Sequence, residues 1–194
     1  MKNMDIKNII NNIYSLPEDS IQSLLTNVTK MIYPKGSHLI EAGVVESDIF
    51  FVAQGIVRAY IPMEGRNITF WIGTEGATVV SLKSYVNNEP GYETVECMEN
   101  TIIYILKRSV LESLFLQDIN IANWGRKFAE MEFLQTEERF IPLLFTTAAE
   151  RYEELLKKQP HLFLRIPLEC LASYLGITPV SLSRIRAKVS NKQV

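Results

Sequence analysis

The sequence predicts an α+β fold: an N-terminal jelly-roll-like antiparallel β-roll with flanking helices, then a long helix, then an all-α C-terminal domain. Two observations lead to this prediction. Seven of the nine glycines lie between Gly36 and Gly91, where they separate short runs rich in β-branched and aromatic residues. After this region glycine nearly vanishes, and apolar residues recur at the steps of three and four that are typical of helices.

The composition is that of a globular protein, with 47% hydrophobic and 22% charged residues among 194. No run has the length of a membrane span, and the N-terminal residues lack the apolar core of a signal peptide, so we expect a cytoplasmic protein.

The sequence contains no cluster of metal-ligating residues. Cys97 and Cys170 lie far apart in the chain, and so do His38 and His161. We therefore predict no metal or other cofactor, and without a nucleophile–base pair we predict no enzyme.

The N-terminal residues 5–29 have a helical pattern that is interrupted at Leu16 and Pro17. Ser15 and Pro17 together indicate that a second helix starts there. Its apolar stripe is expected to contain Ile21, Leu24, Leu25 and Val28.

The glycine-rich region contains seven runs that predict strands. Turns about every 8–12 residues are typical of a sandwich or barrel and not of alternating strands and helices. The runs are SHLIE, DIFFVA, IVRAYI, NITFW, TVV, YETVEC and TIIYIL.

A long helix is predicted over residues 118–141. Its apolar stripe has two interpretations: it packs back on the β-roll, or it pairs with a second copy of the helix in a dimer, which the size of the side chains favours. We expect Pro142 to end the helix and a second helix to follow over Leu143–Lys158. The residues assigned to the dimer interface are Ile121, Trp124, Phe128, Met131 and Leu134.

The stretch LECLASYLGITPVSLSRIRAKV, Leu168–Val189, has the pattern of two short helices joined by a tight turn. Gly176 suits the left-handed conformation that ends a helix, and Thr178 and Pro179 suit the start of the next one. The apolar positions on the inner faces are Leu168, Leu171, Ala172 and Leu175 in the first helix and Leu182, Ile185 and Val189 in the second.

Charge is distributed unevenly along the chain. Residues 163–194 carry five basic residues, including Lys192, against Glu169, a formal charge of +4; because the whole chain carries −2, residues 1–162 carry −6. A second helix that is apolar inside and basic outside predicts a DNA-binding helix-turn-helix in which Arg184 reads a base edge. An ordinary helical hairpin with the same apolar spacing is the alternative. The candidate DNA-binding residues are Thr178, Val180, Ser181, Ser183, Arg184, Arg186 and Lys188.

The order of β-roll, long helix, short helix and helix-turn-helix resembles the Crp–Fnr family of bacterial transcription regulators over nearly the whole chain. The motifs are PKGSHLIEAGVVESDIFFVAQGIVRAYI in the roll and IPLECLASYLGITPVSLSRIR near the C-terminus. The resemblance implies a cyclic-nucleotide-binding-like sensor domain (1–117), a dimerisation helix (118–141) and a helix-turn-helix DNA-binding domain (142–194). It implies a homodimeric, sequence-specific regulator whose partners are double-stranded DNA, RNA polymerase and an unidentified small-molecule effector, with no membrane partner.

One departure from the family pattern concerns the effector. Where cyclic-nucleotide binders of the family carry Gly-Glu, this chain reads Gly76-Ala77, and no Arg or Lys lies between Ser84 and Leu106. An anionic phosphate would have no cationic partner here, so we expect that cyclic AMP is not the effector. The candidate effector-pocket residues are Gly76, Ala77, Thr78, Val79, Val80 and Ser81.

The other departures concern DNA. The family usually continues into a two-stranded wing, whereas this chain stops at Val194, so we expect most of the wing to be lacking. Pro179 and Val180 stand where relatives often place Arg and Glu, so the resemblance implies no target sequence. The alternative function is a small-molecule or partner-binding signalling module whose helix-turn-helix no longer binds DNA.

Overall fold

The computed structural model describes residues 3–190, which form nine helices and eight strands and confirm the predicted α+β class. The helices are α1 (Ile6–Ile13), α2 (Glu18–Leu25), α3 (Leu82–Asn87), α4 (Arg108–Gln117), α5 (Ile119–Phe145), α6 (Ala148–Lys158), α7 (Leu162–Arg165), α8 (Leu168–Tyr174) and α9 (Pro179–Ser190). The strands are β1 (Val28–Tyr33), β2 (His38–Ile40), β3 (Ile49–Gln54), β4 (Val57–Met63), β5 (Arg66–Gly73), β6 (Thr78–Val79), β7 (Thr94–Cys97) and β8 (Thr101–Leu106).

The strands form two antiparallel four-stranded sheets, in the orders β1-β8-β3-β6 and β2-β7-β4-β5, which is a jelly roll. Each of the seven predicted strand runs overlaps one of β2–β8. The assignment of Val28 to a helical stripe was wrong, because this residue begins β1 and pairs with Leu106. The partner lies far away in sequence, so the local pattern around Val28 contained no signal for the pairing.

The first apolar core lies between the outer face of the first sheet and the helices α1, α2, α4 and α5. A second core fills the space between the two sheets. Strand β3 contributes to both, since Ile49 and Phe51 point to the helices whereas Phe50 and Val52 point between the sheets. Its continuous apolar sequence IFFVA is therefore that of a strand buried on both faces.

Helix α5 does not end at Pro142 as predicted, but continues through this residue to Phe145. Proline removes only one N–H group from the helical pattern, and the next bond, from Thr146 N to Pro142 O, is present at 3.0 Å. The break comes at Thr147, whose hydroxyl and backbone form a capping box with Glu150. The second helix therefore starts at Ala148 and not at Leu143.

The C-terminal helices pack on the β-roll of the same chain and share an apolar core with Ile56 and Met98. At the end of α7, the guanidinium of Arg165 lies between two carboxylates of the roll, with Nη2 at 2.7 Å from Oε1 of Glu75 and in contact with Glu99. The hydrogen bonds to Glu99 and Glu75 raise the pKa of Arg165. One of the basic residues counted toward the positive C-terminal region is thus neutralised within the chain.

Helix α8 contacts the hairpin of β4 and β5. Arg58 Nη1 donates to Cys170 Sγ at 2.7 Å, and its Nη2 lies 2.9 Å from Oε2 of Glu96. The backbone N–H of Thr69 donates to Ser173 Oγ at 2.8 Å. Burial raises the pKa of the Cys170 thiol, so Arg58 donates its hydrogen bond to an uncharged sulfur. Within residues 3–190, no helix is long and apolar enough to cross a membrane.

Candidate nucleic-acid interface and α5 cleft

The turn between α8 and α9 joins two short helices through a glycine in the left-handed conformation. Gly176 ends α8 with φ +72°, a conformation that side chains other than glycine rarely adopt. The Thr178 hydroxyl then accepts a hydrogen bond from Ser181 N at 3.2 Å, which caps the start of α9. The predictions that Gly176 ends the first helix and that Thr178 caps the second are confirmed.

The inner face of α9 is anchored in the apolar core of the C-terminal helices. Leu182 is fully buried, and Ile185 and Val189 pack at its edge. Ala172 of α8 is also fully buried, and its small side chain lets the two helices approach closely. The position of α9 is therefore set by packing, independently of its outer face.

The outer face of α9 is polar, basic and exposed. Arg184 and Lys188 are one helical turn apart, so they lie on the same side of the helix. Neither they nor Arg186 forms a hydrogen bond or ion pair with another residue that the structure describes. Of the candidate DNA-binding residues, Ser181 is half-buried and the others are exposed: Thr178, Val180, Ser183, Arg184, Arg186 and Lys188. Lys192 and the predicted lack of a wing concern residues outside the described range.

The predicted dimer interface is corrected at its first two residues. Ile121 and Trp124 are fully buried in the core beneath the first sheet, and the Trp124 indole N–H donates to Ile10 O at 3.0 Å. Phe128, half-buried, stacks on Trp124 with ring centroids 5.8 Å apart. A partner helix cannot reach Ile121 or Trp124, because these side chains are enclosed by their own chain.

Leu134, a predicted dimer-interface residue, is exposed, and it belongs to a set of exposed apolar side chains whose other members the sequence interpretation missed. At 100° per residue, Phe133 and Phe140 are rotated by about 180° and about 160° from Trp124. They therefore face away from the roll. This outward stripe consists of Phe133, Leu134, Phe140, Ile141, Leu144 and Phe145, all exposed. Because both faces of α5 are apolar, spacing alone pointed only to the stripe that contains the large Trp124.

A cleft lies between the roll and α5, with about 600 Å³ of open space including its mouth. Glu132 and Thr136, one turn apart on α5, form one wall. Sheet residues, the segment around β6 and the segment before β7 form the others. We call it the α5 cleft; its lining is Ala59, Phe70, Trp71, Thr78, Val79, Val80, Leu82, Tyr92, Glu93, Val95, Glu132 and Thr136.

Three of the predicted effector-pocket residues, Thr78, Val79 and Val80, line this cleft. Gly76 and Ala77 lie in the preceding turn and are not among its lining residues, whereas Ser81 is fully buried. The sequence interpretation missed the wall from α5 and the aromatic residues Phe70, Trp71 and Tyr92. Only tertiary packing brings these segments together.

The lining of the α5 cleft is acidic and aromatic. Among the residues that the structure describes, the lining contains two carboxyl groups, Glu93 and Glu132, and neither Arg nor Lys. Burial raises the pKa of Glu132 to about 7. Phe70 and Tyr92 lie with ring centroids 6.3 Å apart at the cleft. Over residues 3–190, no group of three or more His, Cys, Asp and Glu side chains is arranged to hold a metal ion.

Residues 30–118 match the family model described as the cyclic nucleotide-binding domain. The chain is also similar to solved structures of three regulators. FixK2 from Bradyrhizobium japonicum has a TM-score of 0.71 at 22% identity, with 86% of each chain covered. The catabolite activator protein of Thermus thermophilus has a TM-score of 0.57 at 19% identity, covering 94% of this chain and 87% of that chain.

The third is the c-di-GMP-responsive global regulator CLP of Xanthomonas campestris, with a TM-score of 0.68 at 15% identity, covering 91% of this chain and 93% of that chain. No curated protein matches the chain. These similarities establish the fold. Residues 30–118 therefore match the cyclic nucleotide-binding domain model, and the chain shares its fold with these solved structures, in agreement with the resemblance predicted from the sequence.

Proposed function

We propose that this chain is a dimeric, sequence-specific DNA-binding transcription regulator, with a β-roll effector domain that does not bind cyclic AMP. The observation that carries the proposal is α9, a helix whose apolar face is anchored by Leu182 and whose opposite face presents Arg184 and Lys188 to solvent, with Arg186 exposed beside the apolar face. A basic helix fixed from behind after a glycine turn is the arrangement by which helix-turn-helix proteins enter the major groove.

The roles within α9 follow from its geometry. The N-terminus at Thr178 and Pro179 approaches a phosphate, to which backbone N–H groups and the Ser181 hydroxyl donate. Arg184 reaches a guanine edge with two hydrogen bonds, and Val180 contacts a thymine methyl group. Lys188, one turn further, contacts the sugar–phosphate backbone. Contacts with phosphate and sugar position the protein on DNA, whereas contacts with base edges specify the sequence.

The outward stripe of α5 supports a homodimer. An exposed row of apolar side chains on one long helix is the surface through which a helix pairs with its own copy. Phe145 is 81% exposed and Phe140 is 57% exposed in the single chain, and pairing two α5 helices covers both. Two recognition helices related by a two-fold axis then read two half-sites.

The domain assignment follows from these roles. Residues 1–117 are the sensor and residues 142–194 include the DNA-binding helices, as the sequence interpretation proposed. The dimerisation helix is α5, whose C-terminal turn extends beyond residue 141 to Phe145. A ligand in the α5 cleft touches Glu132 and Thr136 of this same helix, which connects the cleft to the dimer interface.

The α5 cleft is a poor site for cyclic AMP. A cyclic phosphate requires a charge-assisted donor, and the described lining has carboxyl groups where such a donor is needed. Calorimetry with cyclic AMP should therefore give no heat of binding, and micromolar affinity would contradict this part of the proposal.

The proposal as a whole is tested by selecting bound DNA from a random double-stranded pool. We expect an enriched sequence with two related half-sites, as a two-fold symmetric dimer requires. No enrichment, together with retained ligand binding, would favour the alternative function of a signalling module without DNA binding.

Two variants separate the roles on α9. Arg184→Ala should cost about 1–3 kcal/mol on the selected site and relax the preference at one base pair. Lys188→Ala should weaken all sequences alike and reduce the salt slope by about one. Lys35→Ala, an exposed change on the roll, is the matched control and should do neither. Equal losses on selected and random DNA for both α9 variants would contradict the assignment.

A further inference from the structure

The α5 cleft contains a buried polar group without a partner. Glu93 is only 6% exposed, and its Oε2 atom has no hydrogen-bond partner within the described part of the chain. The hydroxyl of Ser81, which is fully buried, also lacks one. A Cβ atom on Gly91 would lie 2.6 Å from this hydroxyl and 3.1 Å from Glu93 Oε2, so both polar atoms lie close together beside Gly91. Glu93 lines the cleft, and a buried carboxyl oxygen is normally hydrogen-bonded, so a ligand that donates a hydrogen bond would satisfy it.

The second carboxyl group of the cleft comes from the opposite wall. Glu132 on α5 is half-buried, and burial raises its pKa to about 7, so both the protonated and the ionised forms are present at neutral pH. A positive group in the cleft would favour the ionised form of Glu132, because opposite charges stabilise each other. An anion would meet carboxyl groups from both walls.

The remaining walls of the cleft suit a positive charge as well. Phe70, Trp71 and Tyr92 supply three aromatic rings, and the faces of such rings attract ammonium and guanidinium groups. The apolar side chains of Val79 and Leu82 provide contact for the rest of a small molecule. Aromatic rings combined with carboxyl groups are a recurring way of binding organic cations.

We propose that the α5 cleft binds an organic cation, a small amine with an aromatic or apolar body, whose ammonium group donates hydrogen bonds to Glu93 and Glu132. The proposal rests on the effector role proposed above and names the chemical class of the effector. The ammonium group is a donor without acceptor capacity, so it matches a site whose free groups are acceptors. Because Glu132 lies on α5, the occupied cleft contacts the dimerisation helix directly.

The test compares three molecules of nearly equal size by calorimetry with the full-length protein at about pH 8, where Glu132 is mainly ionised. Phenethylamine is cationic, phenethyl alcohol is neutral and phenylacetate is anionic. We expect phenethylamine to bind at least about tenfold more tightly than the alcohol, as a charge-assisted hydrogen bond implies, and phenylacetate to bind most weakly. Equal affinity for all three, tighter binding of phenylacetate, or no binding of the amine would overturn the proposal.

Two variants locate the site. Glu93→Gln keeps the size of the side chain, and it should reduce phenethylamine affinity by about tenfold or more while leaving phenethyl alcohol within about twofold. A purely structural role of Glu93 would change both affinities together. Glu132→Gln is the second variant and is used if Glu93→Gln fails to fold. It should also weaken phenethylamine binding and leave phenethyl alcohol binding nearly unchanged. Glu89→Gln is the matched control, since that side chain is 57% exposed and outside the cleft.

Measuring DNA binding on the same samples separates this proposal from the proposed function. If the unmutated protein binds DNA but does not bind the amine, the cation proposal alone is overturned. Amine binding without any DNA binding overturns the regulator function and leaves the ligand class standing.

Discussion

The two halves of α5 lie in opposite environments although they form one continuous helix. In the first half, Trp124 is fully buried, and Gly125 is packed so closely against the Phe115 ring that a Cβ atom would collide with it. In the second half, Phe140 and Phe145 expose most of their side chains. The first half is thus part of the core of one chain, whereas the second half has an exposed apolar surface, which we propose is covered by a second copy of the helix.

The difference shows what helical periodicity can and cannot specify. Apolar residues at steps of three and four identify a helix and its apolar faces in both halves. They contain no information about whether a face is covered by the same chain or by another one. Tertiary packing decides this, because α1 and the first sheet enclose Trp124, whereas Phe140 and Phe145 stay exposed in the single chain.

The largest expected effect is on the buried half. Trp124→Ala removes a fully buried indole and its hydrogen bond to Ile10 O, and it should lower the free energy of unfolding by about 3–5 kcal/mol. Denaturant unfolding at fixed protein concentration measures this loss. Leu116→Ala is the control, because a side chain that is 91% exposed should change stability by less than about 0.5 kcal/mol. Similar losses for the two variants would contradict the assignment of Trp124 to the core.

The next effect is on the exposed half. Phe140→Glu places a charge in the outward stripe and should weaken dimerisation by about 2 kcal/mol or more, which is about thirtyfold in the dissociation constant. Sedimentation equilibrium measures the dimer, and the same charge at Leu116 on α4 should leave it intact. An unchanged dimer in Phe140→Glu would place the interface elsewhere.

The smallest effect concerns Glu132, at the boundary between the halves. Its pKa is raised by burial from 4.5 to about 7, so the folded state holds the proton more tightly than the unfolded state. The resulting stability is fully present below pH 4.5 and is lost as the pH rises through about 7. The loss should be about 1–2 kcal/mol, since partial exposure screens the charge.

Glu132→Gln should remove this part of the pH dependence, so that its stability relative to the native protein is higher at about pH 8 than at about pH 4. Unfolding of both proteins across this range measures the difference. The comparison isolates Glu132, because all other ionisable groups are the same in both proteins. A constant difference between the two stabilities would contradict the assigned pKa.

The helix-turn-helix was predictable because its signals are local. Gly176 is required by the backbone conformation at its own position, and Thr178 caps a helix that begins at the next residue. The seven strands β2–β8 were predictable for a similar reason, since turn residues bound each of them. By contrast, β1 depends on its pairing with β8, and the continuation of α5 past Pro142 depends on a capping box five residues later.

The α5 cleft was predictable only in part. Thr78, Val79 and Val80 belong to a contiguous segment that the family resemblance indicated, and they do line it. Tyr92, Glu93 and Glu132 come from separate segments, and no spacing in the sequence relates them. The lack of Arg and Lys between Ser84 and Leu106 was the one sequence signal for the charge of the cleft.

The sequence by itself determined the order of the elements, the jelly-roll class, the turn at Gly176 and the basic face of α9, because each depends on residues close together in the chain. Tertiary structure alone decided which face of α5 meets the roll, that Arg165 is held by Glu75 and Glu99, and that two carboxyl groups share a cleft with three aromatic rings. These features depend on the packing of distant segments, and the burial produced by that packing raises the pKa of Glu132.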